Sequence, residues 1–120
     1  MRKFISLAVV ALLASSMSAQ TIANMKDLNA EKKSAAINLK LTGTLTTTKN
    51  SDFRQLRDLC WQLRNLDLSE ATCPVLPKNA FHSRHHLQHI ILPNQLQEIG
   101  TQAFFACDNL QEVVIPKSVT

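Results

Sequence analysis

Glycine is nearly missing: Gly43 and Gly100 are the only two in 120 residues. A glycine-rich phosphate loop cannot be assembled from them, since such loops need several glycines within a few positions. Cysteine is scarce as well, with Cys60, Cys73 and Cys107 an odd set that cannot all pair within one chain. No Cys-x-x-Cys occurs, and the spacings of 13 and 34 match no zinc module. A Cys60–Cys73 disulfide stays open to a protein that leaves the reducing compartment. No cysteine precedes Cys60, which excludes lipid attachment at a cysteine beside an N-terminal leader.

Blocks of like charge are absent too. The net charge of +4 includes Arg2 and Lys3; without them eleven basic residues face nine acidic ones, a balance of +2. The basic residues are scattered, so nothing asks for nucleic acid or an acidic membrane. The one long apolar run, Phe4 to Ala14, is eleven residues, and a bilayer helix needs about 20. Following Arg2-Lys3 and preceding Ser15-Ser-Met-Ser-Ala19, it reads as the core of a secretory signal spanning residues 1–19. Cleavage is expected after Ala19, or else after Ser18. Catalytic signatures are also missing. There is no Ser-His-Asp order with a nucleophile elbow and no acid pair in a catalytic frame. A Cys-His nucleophile on Cys107 would need a core position to open to solvent. The chain is therefore read as a non-enzyme with no cofactor.

What the sequence does contain is repetition. Ala80-Phe81, Leu87-Gln-His-Ile90-Ile-Leu92-Pro93 and Leu96 return as Ala103-Phe104, Leu110-Gln-Glu-Val113-Val-Ile115-Pro116 and Val119. Positions 81 and 104, 87 and 110, 90 and 113, and 93 and 116 are each 23 apart. An earlier copy, Leu63-Arg-Asn-Leu66-Asp-Leu68-Ser69, stands 24 before Leu87 to Pro93, with Ser69 in place of the proline. A period of 20 to 30 residues carrying L-x-x-L-x-L predicts a solenoid whose units cannot stand singly and bury a shared core by stacking.

Ala-Phe, a Cys three residues on (Cys107), Asn109-Leu110, an alternating apolar triplet and then Pro together resemble the BspA-type leucine-rich repeat. The good matches cover Leu63 to Thr120, and a looser one reaches back to about Leu28. At the position of Cys107 the preceding unit has Arg84, a departure from the pattern. The resemblance implies an α/β leucine-rich repeat solenoid, with short parallel strands on one face and short helices and turns on the other. It also implies a secreted or cell-surface bacterial protein that adheres to host matrix or serum proteins, or to other microbes.

In chain order, Thr21 to Asn24 reads as a polar joint. Asn29 can cap a short helix from Ala30 to Ala36, and Ile37 to Leu41 alternates as a half-buried strand does. Asp52 opens an amphipathic helix, with Gln55 three residues on as in a capping box. Phe53, Leu56, Leu59, Cys60 and Leu63 lie along one face of it. Trp61 lies off that stripe and could close the solenoid's end or contact a partner; the first is the preferred reading. Residues 20–62 thus form a capping region with a degenerate first repeat, and 63–120 the leucine-rich repeats, the last incomplete. Strands are expected in parallel at 39–41, 66–68, 90–92 and 113–115.

With Leu66, Leu68, Ile90, Leu92, Val113 and Ile115 inside, the outward positions are Asp67, Ile91 and Val114, flanked by Asn65, His89 and Glu112. These six are the candidate protein-binding residues, Ile91 and Val114 forming an exposed apolar strip. His82, His85, His86 and His89 are spaced as helical metal ligands would be, but the repeat register spreads them over a helix end, a turn and a strand start. They are weak metal candidates. Three readings follow: an exported protein-binding module, a structural N-terminal segment of a longer surface protein, and metal or haem capture by the histidines. Thr120 aligns with Gln97, inside a repeat. The expectation is therefore a fragment that self-associates through an uncapped C-terminal edge.

Overall fold

The structure is a computed structural model, and it describes residues 20–47 and 52–120. The leader expected at 1–19, and the end of the polar run that closes the first strand of the repeat pattern, lie outside the described residues. Five strands form one parallel sheet in the order β1 (Thr21–Asn24), β2 (Asn38–Thr44), β3 (Asn65–Thr72), β5 (His89–Ile91) and β7 (Glu112–Val114). Two further strands, β4 (Val75–Leu76) and β6 (Glu98–Ile99), pair in parallel as a second small sheet. Helices are short: α1 is Ala30–Ala35 and α2 is Asp52–Asp58.

The repeat spacing dictates the register. Leu39 pairs with Leu66, Leu66 with Ile90 and Ile90 with Val113. Equivalent residues of successive units therefore stand side by side, and the parallel arrangement expected from the sequence is the one found. At each strand start a single carbonyl accepts two N–H groups from the next unit. Ile37 O takes Arg64 and Asn65, Arg64 O takes Gln88 and His89, and Gln88 O takes Gln111 and Glu112. The return segments are tied likewise: Asn79, Phe81 and Ser83 N–H donate to the carbonyls of Thr101, Ala103 and Phe105. Positive φ recurs at the same repeat positions, at Asn79 and Gln102 (60° and 57°) and at Ser83 and Ala106 (62° and 60°).

The core runs through the solenoid as stacked layers. Leu39, Leu41, Leu66, Leu68, Ile90 and Leu92 are buried on the inner side of the sheet. Opposite them Phe81 meets Phe53 edge-on at 5.9 Å and stacks on Phe104 at 5.8 Å. Arrangements of this kind are favoured by ring quadrupoles. Asn29 caps α1 as expected, its side-chain oxygen accepting from Lys32 N–H at 2.8 Å.

Five expectations need correction. Thr21–Asn24 is a strand, not a joint; Ala23 pairs with Leu41 and reaches the core, which draws the segment into the sheet. Asp52 and Gln55 make no capping box. Asp52 and Thr46 exchange hydrogen bonds at 3.0 and 3.1 Å, because the ends of the connection between β2 and α2 lie together. Gln55 instead accepts from Lys33 Nζ at 2.6 Å. Leu59 is exposed, because α2 stops at Asp58 and Cys60 and Leu63 take the core positions beyond it. Trp61 is 52% exposed and stands outside the core rather than packing over its end. It rims a shallow hollow with Ile37, Gln62, Arg64 and His86. Ile115 is 46% exposed although its repeat equivalent Leu92 is buried, since it follows the last strand of the sheet with no further unit packed on it in this structure.

Candidate functional site

Parallel pairing brings the six candidate residues together as two rows crossing β3, β5 and β7. One row is Asn65, His89 and Glu112, continued by Asn38 on β2; the other is Asp67, Ile91 and Val114, continued by Lys40. Residues two apart on a strand share a face, so all six belong to one side of the sheet. The exposed apolar strip, however, is not there. Ile91 and Val114 are 4% and 8% exposed, and Asn65, Asp67 and His89 are buried as well. Alternation tells which face a side chain takes. It does not tell how far that face is closed, and neighbours about 4.8 Å apart along a row shield one another. Glu112 is the most accessible, its side chain 24% exposed.

The buried row is only partly satisfied. Asn65 Nδ2 donates to Asn38 Oδ1, a pair of buried amides in register. Asn65 Oδ1 and His89 Nδ1 have no hydrogen-bond partner among the described residues. Glu112 Oε1 lies 3.5 Å from His89 Nδ1, close enough for an ion pair but not aligned for a hydrogen bond. Most buried polar atoms find a partner in protein or ordered water, so these two atoms are open to a partner from outside the chain. Beside the rows, Lys40 pairs with the exposed Glu70 at 2.6 Å, and that hydrogen bond, with nearby Asp67, holds the Lys40 ammonium above its usual range. Asp67 itself accepts from Ser69 N–H at 2.8 Å, at the point where β3 slips register against β2.

The histidines are dispersed, as the repeat register required. His82 stacks on Phe105 at 5.1 Å, and His85 Nδ1 lies 2.9 Å from Asp108 Oδ2. His86 is exposed at the Trp61 hollow, and His89 is in the buried row. Each of His82, His85 and His89 thus meets the residue 23 positions later. No group of three or more metal-ligating side chains occurs among the described residues.

The cysteines are unbridged. Burial pushes the Cys60 thiol up to about 11 and raises Cys73 and Cys107 above their ordinary value. Cys73 donates to Val75 O at 2.9 Å and Cys107 to Phe81 O at 3.0 Å. Thiols held in the neutral form are poor nucleophiles. No described helix is long and apolar enough to cross a membrane.

A parallel sheet that takes one strand from each repeat in register, with short turns on the return side and a continuous aliphatic core, defines the class as a leucine-rich repeat solenoid. Compared with known families, residues 19–120 match the BspA type leucine rich repeat region, in six copies. The chain belongs to that family. Its members are typically surface-associated in bacteria, and its repeats are in general non-enzymatic scaffolds for protein interaction. A search of curated proteins finds no match.

Proposed function

We propose that the chain is an exported protein-binding module that adheres to host or microbial surface proteins through the strand-bearing side of its sheet. The reading is carried by the unpaired Asn65 Oδ1 and His89 Nδ1, adjacent in one cross-strand row and next to the accessible Glu112. A partner side chain or backbone group entering at Glu112 would satisfy them, with Asn65, Asp67, His89, Ile91 and Val114 as the floor and Lys40–Glu70 as the charged rim. Unsatisfied polar groups at a contact surface favour a ligand that completes them over one that does not.

The test is to pass the chain over immobilised matrix and serum proteins, and over surface proteins of other microbes. The His89→Ala/Glu112→Ala pair is compared with the parent chain after matching their far-ultraviolet spectra and melting curves. A bound protein whose affinity falls by roughly tenfold or more in the double variant supports the reading, a loss of ~1.4 kcal/mol or more. Undiminished binding places the contact elsewhere and overturns it.

A second reading has its own observation. Met25, Leu28 and Ala36, from the segment between β1 and β2, are buried on the first layer of the core. That suits residues 20–62 to the cap of a longer surface protein whose contacts are made by other repeats. Under that reading the double variant and the parent chain bind nothing alike. Metal or haem capture is disfavoured by the separate partners of His82, His85 and His89.

A further inference from the structure

Four buried side-chain polar atoms lack partners among the described residues, and two of them, Asn79 Oδ1 and Arg84 Nε, lie away from the strand rows. Both residues line a depression of about 330 Å³ on the return side of the solenoid, together with Arg57, Asp58, His82 and Ser83. Arg84 occupies the repeat position that Cys107 fills one unit later, where a small side chain sits half-buried against Phe81 O. A guanidinium at a place built for a thiol, with its Nε buried and unpaired among the described residues, breaks the local rule. Such breaks concentrate at functional sites.

The charges around it are unbalanced. Asp58 is the only carboxylate in the lining among the described residues, and it is already engaged by Arg57 at 2.9 Å and Arg54 at 3.7 Å. Those contacts, Arg57 first, hold its carboxyl below the usual range, with Arg84 contributing from further off. Arg57 also donates to Asn79 O at 3.2 Å, so its orientation is set. Ser83 Oγ and His82 Nδ1 are 2.8 Å apart and bring a hydroxyl and a ring nitrogen to the same wall. Arg84, by contrast, has no carboxylate within ion-pair distance among the described residues.

We infer that this depression binds a tetrahedral oxyanion, the phosphate or sulfate group of a ligand, held by the Arg84 guanidinium with Arg57 and the Ser83 hydroxyl. Donors converging from a helix and from a turn suit an anion with three or four oxygens better than a planar carboxylate, and guanidinium is the preferred partner of such groups. The volume leaves room for the atoms to which the anion is attached.

The test is a titration of the isotope-labelled chain with sodium phosphate, sodium sulfate and sodium acetate at matched ionic strength, followed by amide chemical shifts. Saturable shifts at residues 57–58 and 79–84 are expected with phosphate or sulfate in the millimolar range, and whichever saturates names the source. Arg84→Cys restores the repeat residue and is expected to keep the fold while weakening the anion by roughly tenfold or more. Should that variant misfold, Arg84→Gln serves, and Asp58→Asn is expected to tighten binding by removing the competing carboxylate. No saturation by phosphate or sulfate, equal binding of acetate, or unchanged affinity on loss of Arg84 overturns the inference.

Discussion

A Cβ placed on Gly100 would lie 2.6 Å from Lys78 N and 2.7 Å from Leu76 O, both backbone atoms of the preceding unit. Gly100 N–H donates to that same Leu76 oxygen at 2.7 Å. Backbone cannot retreat as a flexible side chain can, so Gly100→Ala should cost about 1–3 kcal/mol, the range for overpacking; urea unfolding monitored by circular dichroism checks it. The Cys60 thiol offers a second residue-scale test. Its folded pKa of about 11 exceeds the ordinary value of 9.0 because burial disfavours the thiolate. The stabilisation is therefore fully present below pH 9 and is lost as pH rises toward 11. On the linkage relation this amounts to about 2–3 kcal/mol, read as a falling unfolding midpoint across that window. In Cys60→Ser or Cys60→Ala the same pH window should be flatter. Neither result was readable from composition. Gly100 stands out in the sequence as one of only two glycines, whereas the approach of residues 76–78 depends on how two units stack.

At the scale of elements, the row Leu39, Leu66, Ile90 and Val113 shows how position along the solenoid sets the value of one side chain. Leu66 is buried between neighbouring strands on both sides, while Val113 is half-buried on β7 with a strand on one side only. Leu66→Ala is expected to cost about 2–5 kcal/mol, and Val113→Ala less than half of that, by the same urea measurement. Pairing of β3, β5 and β7 was legible because parallel strands of equal units must align at the repeat spacing. β1 was not. Its one inward contributor of note is Ala23, too small to produce an alternating pattern, and only its place beside Leu41 shows it to be a strand. The same limit applied to Asp52, whose choice of Thr46 over Gln55 depends on where a connection folds back rather than on spacing along a helix.

For the whole molecule, stability should be graded along the stack, since each unit contacts its neighbours alone. Hydrogen exchange of the 120-residue chain is expected to be slowest for amides of β2, β3 and β5 and faster for β1 and β7, which have a partner on one side. Uniform protection across all five strands would show that the sheet opens as a single unit. Periodicity alone established the solenoid, its parallel direction, the inner row of aliphatics and the shared face of the six candidate residues, because these follow from stacking equal units. Stacking itself decided how open each face is. Ile91 and Val114 came out closed and Ile115 open, Asn65 and His89 came out buried with unpaired atoms, and Arg84 came to stand beside Arg57 and Asp58. Such outcomes depend on which side chains from different units close over one another, and no spacing along a single chain contains that information.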